Sequence, residues 1–313
     1  MIIDVFSHIV PKNYQAGLLK KAKAGTNFSE LSNWVLRPGA IREIDVRLRL
    51  MNRYPDVLQV LTIATPPLDL VVSPANAVEL SKIANDEMAE LVLKYPDKFV
   101  AAVACLPLND IDAALKETDR AIKELGFKGI QIFSSIAGQN LGEPKFRPLF
   151  EKMAQYDLPI WIHPFLNPKS AAAGDINVNP IKGLGWNYET TAAMGALVQA
   201  GIFDDYPNIK FITHHCGGMV PFFEKRIGMA GTIRKIEHFK KFYNDTALYG
   251  HTSALMCGYE FFGADHILFG TDVPLGSGGT LGTLESVERM DIPDADKKKI
   301  LYYNAKDLLK LII

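Results

Sequence analysis

Five residues of this 313-residue chain have side chains that bind metals or move protons, and each stands at or just past the end of a short apolar run. His8 follows Ile2–Phe6, His163 follows Pro159–Ile162, His214 and His215 follow Ile209–Thr213, and Asp272 comes shortly after His266–Phe269. Taken singly, a histidine at a strand end is a surface or hydrogen-bonded residue. Gathered in one place, neutral imidazoles and a carboxylate suit a divalent transition metal such as Zn²⁺. His8, His163 and Asp272 would give three ligands and leave one position for water or substrate. The metal would lower the pKa of bound water or polarise a substrate oxygen. A further histidine would remain as the acid/base group, because its ordinary pKa lies near neutrality. Alternation along a strand sends one of His214 and His215 inward, but a strand end that has begun to turn need not alternate.

A closed barrel would bring these positions together. Eight segments read as strands: Ile2–Phe6, Leu58–Ile63, Phe99–Ala104, Gly129–Phe133, Pro159–Ile162, Ile209–Thr213, Phe242–Thr246 and His266–Phe269. They are short, nearly continuously apolar and mostly bounded by Gly, Pro, Asn or Asp, the pattern of parallel strands buried on both faces. Helical stripes lie between them. One opens at Ser73-Pro74 and carries Leu80, Ile83, Ala84, Met88, Leu91 and Val92. Ser73 is placed to cap its free amides, and Pro74 suits its first turn. The alternation predicts an α/β fold: one (β/α)₈ TIM barrel over residues 1–313, with its active site where strands end and βα loops begin. An open doubly wound sheet is the rival, but no Gly-x-Gly-x-x-Gly follows the first strand. The long connections after strands one and five, residues 10–56 and 164–187, are expected to roof the site.

Composition narrows the function classes. The chain is 48% hydrophobic and 22% charged, which is ordinary for a globular protein. Lys plus Arg number 34 against 35 Asp plus Glu, a net charge of −1, so no basic excess exists to hold nucleic acid. Cys105, Cys216 and Cys257 are widely spaced, which points to free thiols in a reducing, cytoplasmic setting. The opening Met1–His8 has no basic n-region, so no signal peptide is expected. No apolar run reaches the ~18 residues of a membrane span.

Several motifs, in order, resemble the amidohydrolase superfamily, in particular its decarboxylase branch, which includes aminocarboxymuconate-semialdehyde and γ-resorcylate decarboxylases. Asp4–Pro11 is similar to the opening His-x-His or Glu-x-His segment, and Arg47–Met51 to the Arg-x-x-x-Met stretch that follows. Trp161-Ile162-His163-Pro164 matches the strand-five Ile-His-Pro. Gly201–Lys210, His215–Phe222 and Ile267–Pro274 resemble the later Gly-Val-Phe-Asp, His-x-Gly and Ile-Leu-Phe-Gly-Ser/Thr-Asp motifs. The resemblance implies one divalent metal, zinc or manganese, on His8, His163 and Asp272. It implies His215 as the acid/base residue, Asp272 as a ligand that also orients a proton, and Arg47 as the partner of a substrate carboxylate. The implied reaction is non-oxidative decarboxylation of a small aromatic or enol carboxylic acid, in a chain that could pair as a homodimer.

One position departs from the family pattern. The first ligand of the opening motif falls at position 6, which is Phe6. Phe6 shares a strand face with His8 and is expected to line the substrate pocket. Three readings follow: a metal-dependent decarboxylase with three ligands, a metal-dependent hydrolase of a lactone, ester or amide, and a metal-free binding protein with a relic site. Strand four ends at Phe133-Ser134-Ser135, without a bridging ligand, so one metal is the ceiling. The spacing to Pro221 favours His215 as the acid/base group and leaves His214 as a packed or supporting residue. Trp186 is placed to stack on a planar substrate or to pack at the rim. Gly276–Gly282 reads as a flexible rim loop, and it carries no Lys that would make it a P-loop.

Overall fold

The computed structural model describes residues 1–28, 35–166, 182–229, 236–275 and 279–313. Seven strands form in the predicted places: β1 (Ile2–Ile9), β2 (Val57–Ile63), β3 (Phe99–Ala102), β4 (Ile130–Phe133), β5 (Ile160–His163), β6 (Phe211–Thr213) and β7 (Tyr243–Asn244). All paired neighbours among them are parallel, and they run β1-β2-β3 and β4-β5-β6-β7. Single bridges close the ring. Ala104 meets Ile130, Asn244 meets Ile267, and Ser7 meets Val273. The eighth stave is therefore the segment 267–273, whose Phe269 carbonyl accepts from Val5 N at 2.9 Å. The barrel is the one predicted from sequence.

The helices follow from their caps. In the helix Pro74–Lys94, Ser73 Oγ accepts from Asn76 N at 3.4 Å. In the helix Ile111–Lys123, Asp110 Oδ1 accepts from Ala113 N at 3.0 Å. The first long connection is not bare loop. It contains α1 (Lys12–Lys21) and α2 (Ile44–Met51). Much of the second connection, and Gly276, Ser277 and Gly278 of the expected rim loop, lie outside the described residues. The rest of that loop is not a loop, because Gly279 opens a helix to Glu288.

Two features of the core set up the site. Inside the barrel, Ile3, Val5, Phe6, Val60, Ala101, Val103, Trp161, Ile212 and Leu268 pack with Ala305, Leu308, Leu309 and Leu311 of the C-terminal segment. Strict alternation from Ile3 and Val5 would turn residue 7 inward next, not residues 6 and 8. A bulge corrects this. Asp4 pairs with Gln59 but Ser7 with Leu61, so β1 spends three steps against two on β2. The extra residue lets both Val5 and Phe6 face the interior and re-aims His8 into the barrel, a common use of bulges beside functional sites. The indole of the fully buried Trp161 donates to Val5 O at 2.9 Å across the barrel.

Trp161→Phe keeps the aromatic bulk and removes this donor. Leaving the Val5 carbonyl without its indole partner should cost about 1–3 kcal/mol, read as a lower urea midpoint with an unchanged m-value. An unchanged midpoint would show that the bulge does not depend on the indole.

Candidate metal centre

Four of the rim residues converge. His8, His163, His214 and Asp272 are all buried, and each offers one ligand atom within 4.8 Å of the others. The three imidazoles are oriented by the same device: Nδ1 is engaged, which leaves Nε2 for the centre. His163 Nδ1 donates to the Pro164 carbonyl at 2.7 Å. His8 Nδ1 lies 2.9 Å from Thr62 Oγ1, and His214 Nδ1 donates to the buried Asp245 carboxylate. Asp245 is locked in turn, because its Oδ1 accepts from Cys216 N at 3.0 Å and Ala247 N at 3.1 Å. Asp272 Oδ1 lies 3.0 Å from His8 Nε2 and 3.2 Å from His214 Nε2. Among the described residues, the buried His8 Nε2 and His163 Nε2 have no aligned hydrogen-bond partner. Buried imidazole nitrogens turned towards a carboxylate and left unsatisfied fit a divalent cation, with three nitrogens and one oxygen as donors. Outer partners that fix the tautomer belong to the usual design of such sites.

The charges in this cluster are strongly coupled. Burial lowers His8, lowers His163 well below the ordinary histidine value and pushes His215 down to about 4, with the neighbouring His214 charge acting the same way on all three. Burial also opposes charge on His214, but the Asp245 and Asp272 carboxylates outweigh it and raise His214 to about 10. Burial works against ionised Asp272 too, yet His214 and His8 hold it well below the carboxylate range. The cluster thus holds positive charge beside two carboxylates, and a cation could take over that role.

Immediately after β6 the chain turns through left-handed backbone at His215 (φ 56°) and Cys216 (φ 52°). The turn places the His215 ring face to face on His214, with centroids 4.0 Å apart and planes at 14°. The other face of His214 lies on Phe6 at 4.1 Å and 12°. Trp186 stacks beyond His215 at 6.4 Å. A stack therefore runs Phe6, His214, His215, Trp186. His215 Nδ1 is buried and without a partner among the described residues.

The stack corrects two sequence expectations. His214 is a full member of the cluster, not a bystander, because the left-handed turn lets two consecutive histidines point the same way. Phe6 does not line an open pocket. Its ring is fully buried, with His214 packed over it. A third correction concerns Arg47. Its guanidinium is 3% exposed and lies on the outer side of β1, away from the cluster. It donates to Gln59 Oε1 at 2.9 Å, His8 O at 2.6 Å and Ser7 Oγ at 2.5 Å, and it sits over the Phe99 ring. It ties α2 to the strand that carries His8. Asp245 went unnoticed in the sequence although it stands one residue before the end of the seventh predicted strand, where the same rim rule applies. Thr62 and Tyr249 gave no signal at all.

If Arg47 supports β1, Arg47→Lys keeps the charge but breaks the fork of hydrogen bonds. The expected result is a loss of about 1–3 kcal/mol in urea denaturation with KM for a carboxylate substrate within twofold of wild type. A tenfold rise in KM at unchanged stability would return the guanidinium to the substrate.

Comparison with known proteins agrees with this architecture. The amidohydrolase family model (Amidohydro_2) matches residues 3–311. A γ-resorcylate decarboxylase from Polaromonas sp. is 31% identical over 292 residues, covering 85% of this chain and 87% of that protein. The 2-amino-3-carboxymuconate-6-semialdehyde decarboxylase of Dictyostelium discoideum is 28% identical over 338 residues, covering 99% and 91%. Among solved structures, 2,6-dihydroxybenzoate decarboxylase from Rhizobium superposes with a TM-score of 0.81 at 26% identity, covering 99% and 98%. The dihydroxybenzoic acid decarboxylase of Polaromonas sp., solved with manganese and 2-nitroresorcinol, gives 0.80 at 28% identity, covering 99% and 96%. With nearly its whole length matched and the barrel and metal-type cluster in place, the chain belongs to the amidohydrolase family.

Proposed function

We propose that this protein is a carboxy-lyase, a metal-dependent non-oxidative decarboxylase of a small aromatic or enol carboxylic acid. The observation that carries the reading is the convergence of three Nε2 atoms and Asp272 Oδ1 at the barrel rim, with the unpaired His215 stacked directly on the cluster. His8, His163, His214 and Asp272 would hold one metal. Three imidazoles to one carboxylate favour zinc, while the Polaromonas structure has manganese bound. The bound metal supplies a Lewis acid that orients a substrate carboxylate or neighbouring oxygen.

The chain's own residues do the rest. His215, which burial keeps neutral at rest, relays a proton from water to the carbon that bears the carboxylate. The C–C bond then breaks, its electron pair returns to the substrate's π-system and CO₂ leaves, to be taken up as bicarbonate by the hydroxide left behind. The position of His215 beside His214 fixes the height of that donor above the cluster. Trp186 and Phe133, which lies 5.7 Å from His163, provide aromatic walls for a flat acid. The free Cys105 and Cys216 are both buried, which supports a reducing, cytoplasmic setting. No helix among the described residues is long and apolar enough to cross a membrane. The case for a relic, metal-free site rested on Phe6, and it weakens because His214 supplies a further donor. A hydrolase would use the same donors but would carry solvent oxygen into its product.

Zinc or manganese should bind near one equivalent per chain by plasma mass spectrometry. His163→Ala should abolish binding, and His214→Ala should weaken it by about 10- to 100-fold. Metal absent from the wild-type protein after incubation with either ion would end this reading. On the loaded enzyme, CO₂ release from a panel of hydroxybenzoates and muconate-type acids should fall about 10²- to 10⁴-fold in His215→Asn, the scale of a lost general acid. Incorporation of ¹⁸O from solvent in place of CO₂ release would favour hydrolysis.

A further inference from the structure

The mechanism above leaves one oxygen of Asp272 unused. Oδ1 faces the imidazoles, while Oδ2 accepts a hydrogen bond from Tyr249 Oη at 2.6 Å. Tyr249 lies in the turn that follows β7. Its backbone is left-handed, with φ 49°, a conformation unfavourable for a bulky aromatic residue that persists only where the surroundings enforce it. The surroundings here do so. Ala247 N is bonded to Asp245, Leu248 N to the Thr246 carbonyl at 2.7 Å, and His251 N to the Leu248 carbonyl at 3.2 Å. Asp272 is also left-handed, with φ 60°. Two strained residues from adjacent staves thus meet through one hydrogen bond. Tyr249 is 41% exposed, so burial of its ring does not explain the strain.

We infer that Tyr249 is a positioning residue for the metal centre. Its hydroxyl holds Oδ2 away from the centre and leaves Oδ1 as the single donor, so Asp272 acts as a monodentate ligand. The inference rests on the metal reading given under the proposed function.

The test is Co²⁺ and Mn²⁺ binding to metal-free wild type and Tyr249→Phe, measured by chelator competition and by the visible absorption of the cobalt form. Released from the phenol, Asp272 is free to bring its second oxygen to the ion. Affinity should change by about 10- to 100-fold, and the cobalt bands should lose intensity as the coordination number rises. Thermal unfolding of the metal-free proteins checks that the variant is folded. If its midpoint drops, Tyr249→His, which keeps a ring N–H donor, is read in the same way and should restore the wild-type spectrum. Equal affinity and an identical cobalt spectrum in Tyr249→Phe would overturn the role of Tyr249 and leave the metal site standing. Failure of the wild-type protein to bind either ion would overturn both.

Discussion

Three imidazoles share one buried pocket here only because the second nitrogen of each has a partner. A neutral ring has one donor and one acceptor, so engaging Nδ1 as the donor leaves Nε2 as the acceptor. Thr62, the Pro164 carbonyl and Asp245 do this for His8, His163 and His214 in turn. Each anchor comes from a different part of the ring: strand β2, the end of β5, and the end of β7. The barrel must therefore be closed before the site exists. A bulge in β1, a bridge at Asn244 and a left-handed turn after β6 are all conditions for one cluster.

The pair at positions 6 and 214 shows how an apolar ring can seat a member of the cluster. Position 6 holds a phenyl ring, and the imidazole of His214 reaches the cluster from another strand. The two rings pack in parallel at 4.1 Å, so His214 rests on Phe6. Stacking of this kind adds about 0.5–1.5 kcal/mol beyond simple burial. It also fixes the imidazole plane. Asp245 completes the arrangement by holding Nδ1.

Much of this was legible in the chain. Eight apolar segments with polar residues at their ends define a barrel and its working rim, and four of the five rim residues meet in one cluster. The fifth, His215, stacks on it. The choice between His214 and His215 was not legible, because alternation fails where φ becomes positive, and nothing local marks His-His-Cys-Gly as such a turn. The hydrogen bonds of Arg47 were not legible for a different reason. Spacing places an arginine after strand one, but only the packing of α2 decides which side of β1 it meets, and its outer partners Gln59 and Ser7 face away from the site. Phe6 was correctly assigned to the same face as His8. The bulge that makes this compatible with inward Ile3 and Val5 left no trace in the pattern.

The eighth stave has little ladder of its own. Phe269 N finds its acceptor at the Ile300 carbonyl, 2.8 Å away, within the π-helical turn Lys299–Tyr303. A turn with i to i+5 bonding is wider than an α-helical one and leaves the local carbonyl pattern shifted. The backbone three residues before Asp272 is thus tethered to the C-terminal helical segment and not solely to neighbouring strands. That segment also packs Leu308 and Leu309 against the side chains of the barrel interior. Residues 299–309 accordingly belong to the scaffold of the His-Asp cluster. Loosening this helix would first be felt as play in a ligand at the opposite end of the stave.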